Sequence, residues 1–178
     1  MTWTAPVTAV SGALFPAASY NQAVRDNLMQ TMPALTTTLG SFFATSGTNQ
    51  LDERIPAAVN AGGGSTTTST TYADLADGAN NPSVTVKTGT MAVVFVYGNQ
   101  FNTAGNAAWI ALEISGATTL AANDNLAVQL QGTGGQRSGA GWLIDTLTSG
   151  MNTFYLKYRV STAGTGTFSM RRVAVWPF

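Results

Sequence analysis

The sequence predicts a mainly β fold, an antiparallel β-sandwich or jelly roll behind a short N-terminal helical attachment segment. Three observations predict it. From residue 72 onward, large apolar residues recur at every second position in short runs. Clusters of Gly, Asn and Thr separate those runs, with no helical period between them. The chain is 44% hydrophobic but only 9% charged, against roughly 25% charged in a typical soluble domain. A core is therefore available, and the surface is neutral and rich in hydroxyls.

The chain divides by composition. Residues 1–60 read as an attachment segment, 61–71 as a Gly/Thr-rich hinge and 72–178 as the β-sandwich. In the first part, Tyr20, Val24 and Leu28 fall at i, i+4 and i+8 on one face, which predicts a helix over about 19–32. Ser19 with Gln22 three residues later fits a capping box, and Pro33 ends the pattern. Trp3, Val7, Leu14 and Phe15 add large apolar groups to a segment too short to enclose them. The set Trp3, Val7, Phe15, Tyr20, Val24 and Leu28 is thus expected to dock on other chains or to fold back on the main domain.

Residues 35–60 are ambiguous. Leu35, Leu39, Phe42 and Phe43 permit a second helix, which Thr36–Thr38 and Gly40 weaken. The hinge follows from Gly62-Gly63-Gly64, three residues of maximal backbone freedom, and the Ser/Thr run after them.

The strands follow in order. Val84 and Val86 alternate with Thr85 and Lys87. Met91 to Tyr97 is a short apolar run that suits a strand covered on both faces. Ile110, Leu112 and Ile114 alternate with smaller or polar neighbours, as do Leu126, Val128 and Leu130. Phe154, Leu156, Tyr158 and Val160 make a half-buried strand, and Ala163-Gly164-Thr165-Gly166 turns the chain. In the last strand Phe168 and Met170 point inward first and Val173 and Val175 later, a phase change that predicts a bulge at Arg171-Arg172. About seven or eight strands result, without a repeat of fixed period.

Chemistry is scarce. The absence of histidine and cysteine removes the commonest general base, the commonest metal ligand, disulfides and thiolate sites. No catalytic set, no cofactor and no metal are expected. Glu113 and Asp124 are the one carboxylate pair that a hairpin could bring together for glycoside hydrolysis; a solvent-facing strand residue and a turn residue explain them as well. Asp74, Asp77, Asn80 and Asn81 offer oxygen ligands for a structural Ca²⁺ but match no EF-hand spacing. Lys157, Arg159, Arg171 and Arg172 hold half of the basic residues and are the one candidate cationic patch. With eight basic and eight acidic residues in all, nucleic-acid binding is not expected. No apolar run reaches the roughly 20 residues that span a bilayer, and Met1-Thr2-Trp3-Thr4 lacks the pattern of a secretory signal, so synthesis in the cytoplasm and no membrane contact are expected.

Neutral Thr/Ala/Gly-rich surfaces suit subunit contacts, where charge is depleted. Homo-oligomerisation is the physical expectation. The closing Val173-Ala174-Val175-Trp176-Pro177-Phe178 is apolar to its end, so Trp176 and Phe178 are expected to anchor in the core or on an oligomer axis. Tyr97, Trp109, Trp142 and Tyr155 are candidates for stacking on sugars, or for core packing.

The residues also carry a resemblance. Trp3-Thr4-Ala5-Pro6 and Ala18-Ser19-Tyr20-Asn21-Gln22-Ala23-Val24-Arg25-Asp26-Asn27-Leu28 resemble the start of tail and other minor virion proteins of phages infecting actinobacteria. Tyr20 stands where Leu is usual, and Gly12-Ala13-Leu14-Phe15-Pro16 is a variant lead-in. Asn49 to Pro56, Thr68 to Leu75, Ser83 to Thr90 and Phe168 to Val173 look like further blocks of that family. The resemblance implies a non-enzymatic virion structural protein, a minor tail or baseplate component. Its N-terminal segment would dock on other virion proteins, and its β domain would project as a homotrimer able to meet a host cell-surface glycan. The same plan would serve a capsid decoration or head-fibre protein.

Overall fold

A computed structural model of the 178-residue chain describes residues 8, 11, 12, 14, 16–28, 37–48, 50–76 and 81–178. Two compact units divide at Ile55/Pro56.

In the first unit, helix α1 (Ala17–Tyr20) runs on into a π-helical stretch (Asn21–Asp26). Pro16, not Ser19, stands at the N-cap, and no side chain caps the helix. A proline there loses nothing, because its missing N–H has no helical partner at that position. The expected end of the helix, residues 29–32, lies outside the described residues. The described residues of the ambiguous stretch that follows form no helix. Strands β1 (Phe42–Gly47) and β2 (Gln50–Arg54) form an antiparallel hairpin. The aromatic pair and threonine favour extended backbone over the weak helical period. Glu53 anchors the chain before the hairpin. Its carboxylate accepts from the backbone N–H groups of Thr37 (3.0 Å) and Thr38 (2.8 Å), from Ser41 Oγ (2.5 Å) and from the Thr37 hydroxyl. Those bonds, the Ser41 hydroxyl first, bring its pKa down to about 2.

The second unit is a β-sandwich. Its strands are β3 (Ala57–Ala61), β4 (Ser65–Thr67), β5 (Ser83–Thr88), β6 (Ala92–Asn102), β7 (Ala107–Gly116), β8 (Ala127–Gln131), β9 (Gln136–Ile144), β10 (Gly150–Val160) and β11 (Gly166–Pro177). One antiparallel sheet has the order β5-β10-β7-β8. The other has the order β3-β11-β6-β9, with β4 also paired to β11. The mainly β, antiparallel sandwich expected from the sequence is what the chain forms.

The alternating residues meet between the sheets. Val84, Val86, Ile110, Leu112, Ile114, Phe154, Leu156 and Tyr158 come from one sheet, and Val94, Val96, Phe168, Val173 and Val175 from the other. Tyr158 and Phe168 pack ring on ring at 5.0 Å. Each such side chain contributes about 1.5–3 kcal/mol when fully buried. Gly98 on β6 lets the sheets approach closely, since a Cβ there would lie 2.5 Å from Ile110 Cδ1. Two buried amides donate across the fold. Asn152 Nδ2 donates to Thr88 Oγ1 (2.7 Å) and to the Thr148 carbonyl (3.0 Å), and its Oδ1 accepts from the Thr118 N–H (2.7 Å). Gln100 Nε2 donates to Ser138 Oγ (3.0 Å) and the Val128 carbonyl (3.3 Å).

Two expectations are corrected. The first is the hinge at 61–71. β3 and β4 both pair with β11, so Gly62–Gly64 joins two strands of one sheet, and the boundary falls at Ile55/Pro56 instead of near residue 61. The second concerns the bulge. It is present between Ser169 and Arg172, but Met170 adopts φ +49° and turns outward while Arg171 turns in. The two corrections have one cause. The bulged segment bonds to the glycines: Arg171 Nη2 donates to the Gly63 carbonyl (3.1 Å) and the Met170 N–H to the Gly62 carbonyl (3.4 Å). A glycine run with its carbonyls so engaged is held in place.

Candidate functional site

Of the six expected docking residues, Trp3, Val7 and Phe15 lie outside the described residues. Tyr20, Val24 and Leu28 lie on the helical segment and are exposed. Their spacing on one face is what a helix needs to present an apolar stripe to a partner.

On the sandwich, two surfaces stand out. The first is a shallow polar groove of about 440 Å³ beside the β5-β10-β7-β8 sheet, lined by Thr70, Thr71, Tyr72, Glu113, Ala121, Ala122, Asp124 and Arg159. The structure therefore brings Glu113 and Asp124 to one groove, although they are distant in sequence. Each is engaged by a cation from β10. Lys157 Nζ lies 3.4 Å from Glu113 and 3.0 Å from Asp74. Arg159 makes a two-pronged contact with Asp124, its Nη2 lying 2.8 and 2.7 Å from the two carboxylate oxygens. Tyr72 donates its hydroxyl to Asp124 (2.7 Å). The Arg159 guanidinium sits between the rings of Trp109 (4.5 Å) and Tyr72 (5.1 Å).

The electrostatics follow from these contacts. The bonds from Arg159 and then Tyr72 hold the Asp124 carboxyl below its ordinary range. Burial, and then the bond to Asp124, pushes the Tyr72 phenol up. For Lys157 and Arg159, burial alone would lower the pKa; the facing carboxylates outweigh it and both are raised. A glycosidase acid must hold a proton near neutral pH, which requires a raised carboxyl. Asp124 is shifted in the opposite sense. The groove holds an ion-pair cluster that ties the loops at Tyr72 and Asp124 to β10.

This arrangement also dissolves the expected cationic patch. Lys157 and Arg159 lie on the outer face of one sheet against carboxylates, Arg171 is buried, and Arg172 is exposed on the other sheet. The Ca²⁺ candidate falls partly outside the described residues, which omit Asp77 and Asn80. Within them Asp74 faces Lys157, and Asn81 bonds to the backbone of Leu75.

The second surface is apolar and covers the outer face of the β3-β11-β6-β9 sheet. Strand pairing sets Trp176, Val93 and Leu143 in one row, Ala174, Phe95 and Gly141 in the next, and Arg172, Tyr97 and Gly139 in a third. Phe95 and Trp176 meet edge to face at 6.3 Å and 85°. The glycines let the rings lie over β9: a Cβ at Gly141 would come within 2.8 Å of Phe95, and one at Gly139 within 3.2 Å of Tyr97. Beside the rings runs a groove of about 620 Å³ whose lining includes Asn60, Gly62, Met170 and Arg172.

Trp176 and Phe178 belong to this exterior. Neither enters the sandwich core, which corrects that half of the expectation for them; the inward residues of the strand are Val173 and Val175. The chain end is nevertheless held, since the Phe178 N–H donates to the Met91 carbonyl (2.9 Å) and the Gly89 N–H to the Phe178 carbonyl. Of the four candidate stacking residues, Trp142 packs against the core. Trp109 lies under Arg159, Tyr155 has Lys157 over its ring at 5.6 Å, and Tyr97 belongs to the apolar face. Sequence reasoning missed β9 and its glycines, because the Gly132-Thr133-Gly134-Gly135 loop and the small residues after it carry no alternating signal.

No family model and no curated protein matches the chain. Among solved structures, the arabinose-bound α-L-arabinofuranosidase MgGH51 is similar over 84% of this chain and 25% of that one, with 13% identity and a TM-score of 0.32. The chain thus spans about a quarter of that enzyme's length. A likeness this distant says nothing about the activity of this chain.

Proposed function

We propose that this chain is a non-enzymatic structural protein of a phage virion, a minor tail or baseplate component that docks through its N-terminal unit and projects its β-sandwich. The observation that carries the reading is the division of labour between the two units. The smaller one presents Tyr20, Val24 and Leu28 to solvent on one helical face. The larger one is a sandwich whose polar groove has its carboxylates Glu113 and Asp124 held in ion pairs with Lys157 and Arg159. The N-terminal resemblance to virion proteins of phages infecting actinobacteria supports the same reading, as does the low overall charge. In this reading the sandwich is part of a homo-oligomer, a trimer by the resemblance, and its exposed end is what meets a host cell-surface glycan. The alternative placement is a capsid decoration or head fibre.

The test is gold-labelled electron microscopy of intact particles with an antibody against residues 56–178. Label at the tail end is the expected result. Label over the head would move the protein to the capsid and leave its structural role intact. No label, with the epitope accessible on the purified chain, would overturn the virion reading. Reducing ends released from cell-wall polysaccharide by the wild type, and lost in Glu113→Gln, would overturn the non-enzymatic one.

A further inference from the structure

We infer that the outer face of the β3-β11-β6-β9 sheet is the surface on which a second copy of this chain packs. The inference rests on the homo-oligomer of the reading above and assigns it a place.

Size is the first ground. Phe95 is 48% exposed, Trp176 47%, Met170 49% and Leu143 63%. Met91 and Phe178, 41% and 38% exposed, extend the Trp176 row. Large side chains present about 150–250 Å² each, so these six leave on the order of 500 Å² of apolar surface in water. A patch of that size is at the upper end of what a free monomer shows. It also matches the apolar share of a standard homomeric contact, about 65% of roughly 800 Å² per partner.

The distribution of charge is the second. Arg172 and Arg137 both lie toward one end of the face, while Phe95, Trp176 and Leu143 occupy the other. The stretch around Phe95, Trp176 and Leu143 is thus free of charge, as the core of a protein contact is. Both arginines are exposed on the single chain, Arg172 while also lining the groove, and their mutual repulsion between copies is screened by salt.

Shape and edge protection are the third. Leu143, the most exposed of the group, stands across Val93 from Trp176, which bounds the groove with Phe95 and Met170, so one copy offers both a projection and a receptacle. Next to Leu143 the sheet ends in β9, nine residues that carry only Arg137 as a charge, no proline and no shift of register against β6. Edge strands of free monomers are normally guarded by such devices. A copy seated across Leu143 would cover this edge as well. A glycan fits the face less well: Phe95 and Trp176 meet at 85° and form a corner instead of a flat stacking platform.

The experiment is analytical ultracentrifugation of the full chain from about 1 to 100 µM, the range that brackets micromolar association. The wild type is expected to sediment with the mass of two or three chains. Phe95→Lys and Leu143→Lys should each raise the dissociation constant about tenfold or more, and the double variant should be monomeric with an unchanged fold by circular dichroism. Met151→Lys, on the exposed outer face of the other sheet, should leave assembly unchanged. A wild-type oligomer that survives both Phe95→Lys and Leu143→Lys would overturn this face and leave the homo-oligomer standing. A wild type monomeric throughout would overturn both and give the face to a different protein, while the virion reading would still be decided by the labelling experiment.

Discussion

Gly98→Ala tests how closely the two sheets are packed. The new Cβ would sit 2.5 Å from Ile110 Cδ1 and 3.7 Å from Arg171 Cγ. Ile110 is wholly buried, so its terminal methyl can yield only against other close-packed core side chains. Overpacking of this kind costs about 1–3 kcal/mol. Against it stands a gain of about 0.4–1 kcal/mol, because alanine restricts the unfolded chain. The net expectation is a loss of about 1–2 kcal/mol, a fall in Tm of roughly 4–8 °C for a domain of this size. Ile110→Val removes the obstructing methyl and by itself costs about 0.5–1.5 kcal/mol. In the double variant the added and deleted methyls share one space. It should therefore be more stable than the sum of the two single losses by about 1–2 kcal/mol. Urea unfolding followed by tryptophan fluorescence measures all four proteins, with equal m-values as the check that the same surface is exposed. Strict additivity would refute the reasoning, since it would mean that the alanine methyl and Ile110 Cδ1 do not compete.

Three further outcomes are expected. Asp124→Asn should cost under about 1 kcal/mol, because its ion pair with Arg159 is exposed, and the loss should shrink in 1 M salt, as thermal melts would show. Glu53 has a lowered pKa, so its contribution is complete above the unfolded value near 4.5 and disappears as pH falls through about 2. Carboxyl ¹³C NMR should place its midpoint near 2, and Glu53→Gln should speed amide exchange at Thr37 and Thr38. Gly164→Ala, at φ +101° in the β10–β11 turn and with its Cβ on Asn102 Oδ1 and Ala104, should cost about 1–3 kcal/mol by chemical denaturation.

The candidate surfaces were legible in the sequence only in part. Tyr20, Val24 and Leu28 are exposed on the helical segment whose period announced them, because a helical stripe is a local pattern. Glu113 and Asp124 could be suspected as a pair, but the cations that neutralise them come from β10, more than thirty residues away in the chain. The apolar outer face was legible only at single residues, Tyr97, Trp176 and Phe178, and not as a face. Phe95 falls in a continuous apolar run, where alternation cannot say which side is outside, and the apolar terminus at Trp176 fits a core anchor as well as an oligomer one.

Local chemistry by itself determined the class of fold. Alternating β-branched and aromatic residues bury one side of a strand, and turn residues such as Gly164 close the hairpins. It determined also the existence of the bulge, since inward positions on either side of Arg171 are out of phase. Tertiary structure decided what lies across the sheet. Whether Gly62–Gly64 bends freely depends on Arg171 and Met170 reaching its carbonyls from β11. Which residue of the bulge turns inward depends on the room beside Tyr158, whose ring lies 5.6 Å from the Arg171 guanidinium. Period and propensity act between near neighbours in the chain, whereas these choices are contacts between different strands, about a hundred residues apart for Arg171 and Gly63, and only the closed sandwich brings them together.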